Sequence, residues 1–134
     1  MEHILNENEL NEAYAEIKSV DEKLASLAKR KGEINQMLIQ NSINKAKNQF
    51  PGIEFGDKVK VVRKVFSWKN SSTTETVIRY MGGFFLDRYV AGDYLNYDKY
   101  IRLELYQVKK DGTRSLKKDE THIGNIISIE KVEE

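Results

Sequence analysis

The stretch Asn48-Gln49-Phe50-Pro51-Gly52-Ile53 carries the only proline of the chain and divides two different sequence patterns. Proline removes a backbone donor and fixes φ, and the glycine after it accepts conformations that a helix does not use. A helix arriving from the N-terminal side must therefore end here. The reading is residues 1–49 as an amphipathic helix, 50–52 as a linker and 53–134 as a small β domain.

Towards the N-terminus, Glu, Lys, Ala and Leu dominate, and Gly32 is the one glycine before the break. Apolar residues fall at Leu10, Ala13, Ile17, Val20, Leu24, Leu27, Ile34 and Leu38, at alternating spacings of three and four. That is a heptad repeat, the period at which one helix face buries against another helix. Lys31 and Asn41 interrupt it at core positions, where polar residues set register. The heptad phase continues through Gly32, which favours one continuous helix over a hairpin turning at Lys29-Arg30-Lys31-Gly32. Some 40 helical residues would span about 60 Å. In a parallel pair Glu16 would face the partner's Asp21, so the charges favour an antiparallel arrangement or packing onto something other than a second copy. The expected interface, with a second copy as a dimer or with another protein, is Leu10, Ile17, Val20, Leu24, Leu27, Ile34 and Leu38.

Towards the C-terminus the period changes to two. Lys58–Phe66 alternates polar and apolar residues after the Gly56-Asp57 turn signal. Ser67–Thr74 reads as a polar loop holding Trp68. Thr76–Val90 reads as β structure with Gly82-Gly83 at its centre, either a hairpin turn or a bulge. Ala91–Asp98 reads as a loop. Tyr100–Lys109 and Thr113–Ile123 flank the Asp111-Gly112 turn, and Ile126–Val132 follows the Gly124-Asn125 break. A two-residue hairpin loop would pair Tyr106 with Lys117 and set Glu104 opposite Asp119. A three-residue bulged loop pairs Val108 with Leu116 and Ile101 with Ile123, and is preferred.

The fold class expected is α+β, a coiled-coil-like helix followed by a small antiparallel β-barrel. The order of elements over 53–132 resembles a Src-homology-3-like roll, a shape that hosts many unrelated functions.

Composition excludes several classes. Basic and acidic side chains number 22 and 21, a net charge of +1, so no overall field draws the chain to nucleic acid or an anionic membrane. Apolar runs are too short for a transmembrane helix, and residues 1–7 lack signal-peptide features. No cysteine is present, which removes disulfides, thiolate nucleophiles and thiolate-bound zinc. A cytoplasmic location follows as the expectation. Abundant Lys, Asn and Ile suggest an AT-rich genome, that of a low-GC bacterium or its phage. His122 has no ligand-spaced partner and reads as structural. No catalytic residue, metal site or cofactor is expected.

Two further surfaces are candidates. Trp68, Tyr94, Tyr97, Lys99 and Arg102 combine aromatic and basic character, as a ligand groove for a peptide or single-stranded nucleic acid would. Lys109, Lys110, Arg114, Lys117 and Lys118 cluster at the hairpin tip, where they could touch phosphates or blunt a sheet edge. The function expected is a non-enzymatic protein-interaction module, of the kind a phage or mobile element uses to inhibit a host system. The alternatives are a nucleic-acid binder, and a small-ligand sequestering protein or enzyme with a pocket between protomers.

Overall fold

A computed structural model describes residues 2–66, 72–87 and 97–133. One helix, α1 (Glu7–Gln49), precedes five strands: β1 (Lys58–Phe66), β2 (Ser72–Leu86), β3 (Ile101–Val108), β4 (Arg114–His122) and β5 (Ile126–Lys131). Short 3-10 turns, Tyr97–Tyr100 and Ile123–Asn125, precede β3 and β5.

The start of α1 is a reciprocal cap. Asn6 Oδ1 accepts from the Glu9 backbone N–H at 2.9 Å, and Glu9 Oε1 accepts from the Asn6 N–H at 3.2 Å. Two amides that the first turn would leave orphaned are thus satisfied. Glu7 and Glu9 in the first turn and Lys47 in the last also oppose the helix dipole. The helix passes through Gly32 without a break, as its heptad phase implied. It ends where the proline required, with Gly52 at a φ of +80°.

Contacts divide the chain into two compact units, Met1–Met37 and Leu38–Glu134. The dividing line falls inside α1 because the helix's last turns belong to the core of the second unit. Ala46 is 1% exposed there, and Ile43, Phe50 and Ile53 pack on the same core. Phe50 stacks on Phe84 with ring centroids 6.1 Å apart. The buried Ser42 hydroxyl donates to Asp98, which also receives Lys45 Nζ at 3.1 Å.

All strand pairings are antiparallel, in the order β4-β3-β2-β1-β5. Alternation puts Val59, Val61, Ile101, Leu103 and Leu105 on the inner face, fully buried. Each such side chain stabilises the fold by about 1.5–3 kcal/mol relative to exposure. Strand β2 changes partner along its length. From Ser72 to Tyr80 it pairs with β1, and from Tyr80 to Leu86 with β3. Gly82-Gly83 is therefore a bulge within one long strand and not a hairpin turn: the register shifts between Met81 and Gly83. A side chain at Gly82 would place its Cβ 2.6 Å from the Glu104 carbonyl oxygen, so β3 can approach this closely only a glycine.

Three expectations need correction. Ser72–Thr74, read as loop, is strand, because it pairs with Lys64–Phe66. The hairpin keeps the bulged-loop register from Arg102↔His122 to Tyr106↔Lys118, but a second bulge then sets Val108 opposite Arg114 instead of Leu116. Leu116 is left 86% exposed. Finally, the sheet among the described residues is open, with β4 and β5 as its edges, so the backbone closure of a barrel is not made. It is nonetheless strongly curled, since side chains of β1 and β4 meet across its inner face.

Candidate functional site

The heptad stripe of α1 is a row of exposed apolar side chains. Leu10, Ile17, Val20, Leu24, Leu27, Ile34 and Leu38 are all exposed, Leu24 by 58% and Leu27 by 66%. Tyr14 and Met37 flank the stripe and are exposed too. A soluble surface tolerates scattered apolar residues, but not a helical row of them at coiled-coil spacing without a reason. Arg30 and Glu33, paired at 3.3 Å, decorate its margin. This surface was legible in the sequence, residue by residue.

The expected aromatic groove is only partly described. Trp68 and Tyr94 lie outside the described residues. Tyr97 is 5% exposed and belongs to the core, so it offers no open stacking face. Lys99 is exposed on the same 3-10 turn. Arg102 sits on the outer face of β3, where its guanidinium lies 3.4 Å from Glu120 and 3.8 Å from Asp87.

The hairpin-tip cations divide into two groups. Lys109, Lys110 and Lys117 are exposed. Arg114 lies over the rings of Tyr106 and Phe55, 4.8 and 5.6 Å from their centroids. Lys118 pairs with Glu104 at 3.0 Å, and this hydrogen bond and charge hold its pKa above the usual lysine value. The turn itself is fixed by Asp111, whose Oδ1 accepts from the Thr113 hydroxyl and backbone N–H. Those bonds, the hydroxyl's first, hold the Asp111 carboxyl below its ordinary range. Gly112, at a φ of +87°, completes the turn in the left-handed region.

A cleft of about 600 Å³ lies on the outer face of β2, β3 and β4. Gly82 and Gly83 line it together with Phe55 and Phe85, while Asp87, Arg102, Glu104, Lys118 and Glu120 supply its charges. The signs alternate along β3 and along β4, and the diagonal pairs Lys118–Glu104 and Arg102–Glu120 neutralise most of the cleft's charge within the chain. Sequence reading missed this cleft. Its one signal was Gly82-Gly83, two residues without side chains inside an apolar strand.

Chemistry at these surfaces is limited by pairing. Among the described residues, no group of three His, Asp or Glu side chains gathers as a metal site. His122 Nδ1 accepts from the Gly124 N–H at 3.0 Å and so caps the 3-10 turn before β5, a structural role. On the inner face, Asp119 bridges two guanidiniums, 2.8 Å from Arg63 and 3.1 Å from Arg79. Arg63 also donates to Thr121 at 2.8 Å and reaches Glu75 at 3.4 Å.

No known protein family, curated protein or solved structure matches this chain. The geometry of its own residues carries the functional reading. No helix among the described residues is long and apolar enough to cross a membrane.

Proposed function

We propose that this protein is a non-enzymatic interaction module that self-associates through the heptad stripe of α1. The observation that carries this reading is the exposure of the stripe along a helix whose N-terminus is capped reciprocally by Asn6 and Glu9. Helices in water draw most of their stability from burying an amphipathic face, and this face is uncovered within one chain. Association supplies the missing contact.

The β unit is the recognition half of the module. Its strand order, the change of partner along β2 and the 3-10 turn before β5 agree with a Src-homology-3-like roll. Its cleft between Phe55, Phe85 and the Arg102 row is wide enough for a side chain or short peptide segment of a partner. A nucleic-acid reading gains less support. Arg114 and Lys118 are held by contacts within the chain, and the net charge of +1 supplies no general attraction for phosphates.

The test is the double substitution Leu24→Asp/Leu27→Asp, at two exposed positions where a carboxylate harms no core. Light scattering should give an oligomer for the unaltered chain and a monomer for the variant. Identical masses for the two would remove the reading.

A further inference from the structure

Resting on the self-association just proposed, we infer that the stripe is covered by a second copy of this chain running antiparallel, with Leu10 against the partner's Ile34. Three features of the helix select this arrangement. The first is the position of Lys31 in the heptad core. A parallel, in-register pair would set Lys31 against the partner's Lys31, two ammonium groups in one apolar layer. In the antiparallel register Lys31 meets the partner's Ala13, whose small side chain leaves room for the lysine stem to run out to water.

The second feature is the flanking charge. Parallel pairing puts Glu16 beside the partner's Asp21, twice by symmetry, with no opposite-charge pair to offset it. The antiparallel register places Glu16 beside the partner's Arg30, also twice. Arg30 is exposed and its present pair with Glu33 is a surface contact at 3.3 Å, so it is free to turn. Asp21 and Lys23 each approach their own counterparts near the two-fold axis, two like-charge rim contacts that equal in number those of the parallel pair. The two Glu16–Arg30 pairs therefore decide the balance.

The third feature fixes the register among antiparallel choices. A shift of one heptad in one direction sets Lys23 against the partner's Arg30, twice. It also draws Leu38 and Asn41 into the pair, residues of the turns that join the β unit. A shift in the other direction pairs Glu16 with the partner's Lys23 and Glu9 with its Arg30, but it sets Ile34 against the partner's His3 and shortens the apolar seam to Leu10–Leu27. The intermediate register buries Leu10 through Ile34 and lies wholly within the unit Met1–Met37.

The absence of cysteine makes the test direct, because every thiol in it is one that is introduced. Full-length Leu10→Cys and Ile34→Cys chains are oxidised separately and then as an unfolded and refolded mixture, and run on a non-reducing gel. The antiparallel pair gives a covalent dimer in the mixture and none from either variant alone. Ile17→Cys with Leu27→Cys should repeat this pattern. A dimer from Leu10→Cys alone means a parallel pair and overturns the inference while self-association stands. A chain that is dimeric by mass but links in none of these combinations overturns the register. A monomer overturns the inference and the self-association beneath it together.

Discussion

Arg63 on β1 and Asp119 on β4 lie 2.8 Å apart although β2 and β3 separate their strands in the sheet. In a flat sheet, three strand spacings would hold them about 14 Å apart at the backbone. The pair therefore measures how far the sheet curls. It closes, by side chains, an interior that the backbone ladder leaves open. Asp119 is the only carboxylate that both Arg63 and Arg79 contact on this face among the ion pairs described.

This arrangement makes the loss of Asp119 and the loss of Arg79 unequal. Asp119→Ala takes from Arg79 its carboxylate and leaves Arg63 with Glu75 and Thr121 alone, and should cost about 3 kcal/mol in a urea unfolding series. Arg79→Ala leaves Asp119 still paired with Arg63, and should cost about 1 kcal/mol. Equal, small losses for both would mean that the network does not hold the curl.

The bulge in β2 separates adjacent glycines in the same way. Gly82→Ala drives a methyl group to 2.6 Å from the Glu104 carbonyl, a backbone atom that cannot step aside. It should lose about 1–3 kcal/mol. Gly83→Ala meets nothing within 4 Å and should stay within about 0.5 kcal/mol of the parent. Thermal unfolding of the two variants side by side checks the contrast.

The tie between the end of α1 and the 3-10 turn before β3 should respond to acid. Hydrogen bonds from Ser42 and then Lys45 hold the Asp98 carboxyl below its ordinary 3.8. A depressed folded pKa contributes stability that is present above the unfolded value and is lost as pH falls through the folded one. The loss should appear between about pH 5 and pH 2. Asp98→Asn should remove that part of the acid sensitivity and leave the rest. Unfolding midpoints of both chains across this range test it, and parallel curves would contradict it. Asp98 is half exposed, so the effect is a modest one.

Much of the architecture was legible because it rests on local rules. The heptad of α1, its stop at Phe50-Pro51-Gly52 and the five strands, β2 with its start placed too late, follow from periodicity and turn chemistry. Other features depend on contacts between distant residues. Ala46 reads in sequence as one more helix-forming alanine. Only the sheet shows that it is core, and that the last turns of α1 belong with the β unit. The Val108↔Arg114 pairing escaped for a related reason. A hairpin register inferred from matching apolar residues has no term for Arg114 lying over Tyr106 and Phe55, a contact that comes with leaving Leu116 in solvent. The cleft beside Gly82 arises where β2 leaves one partner and takes another, which no single strand encodes.

Association through α1 is tested most directly by the concentration dependence of its unfolding. If the stripe is buried between chains, the far-ultraviolet helical signal melts at a higher temperature as the protein is concentrated, by mass action. Over a hundredfold range the midpoint should climb steadily for the unaltered chain and stay fixed for Leu24→Asp/Leu27→Asp. A midpoint independent of concentration in the unaltered chain would contradict the account.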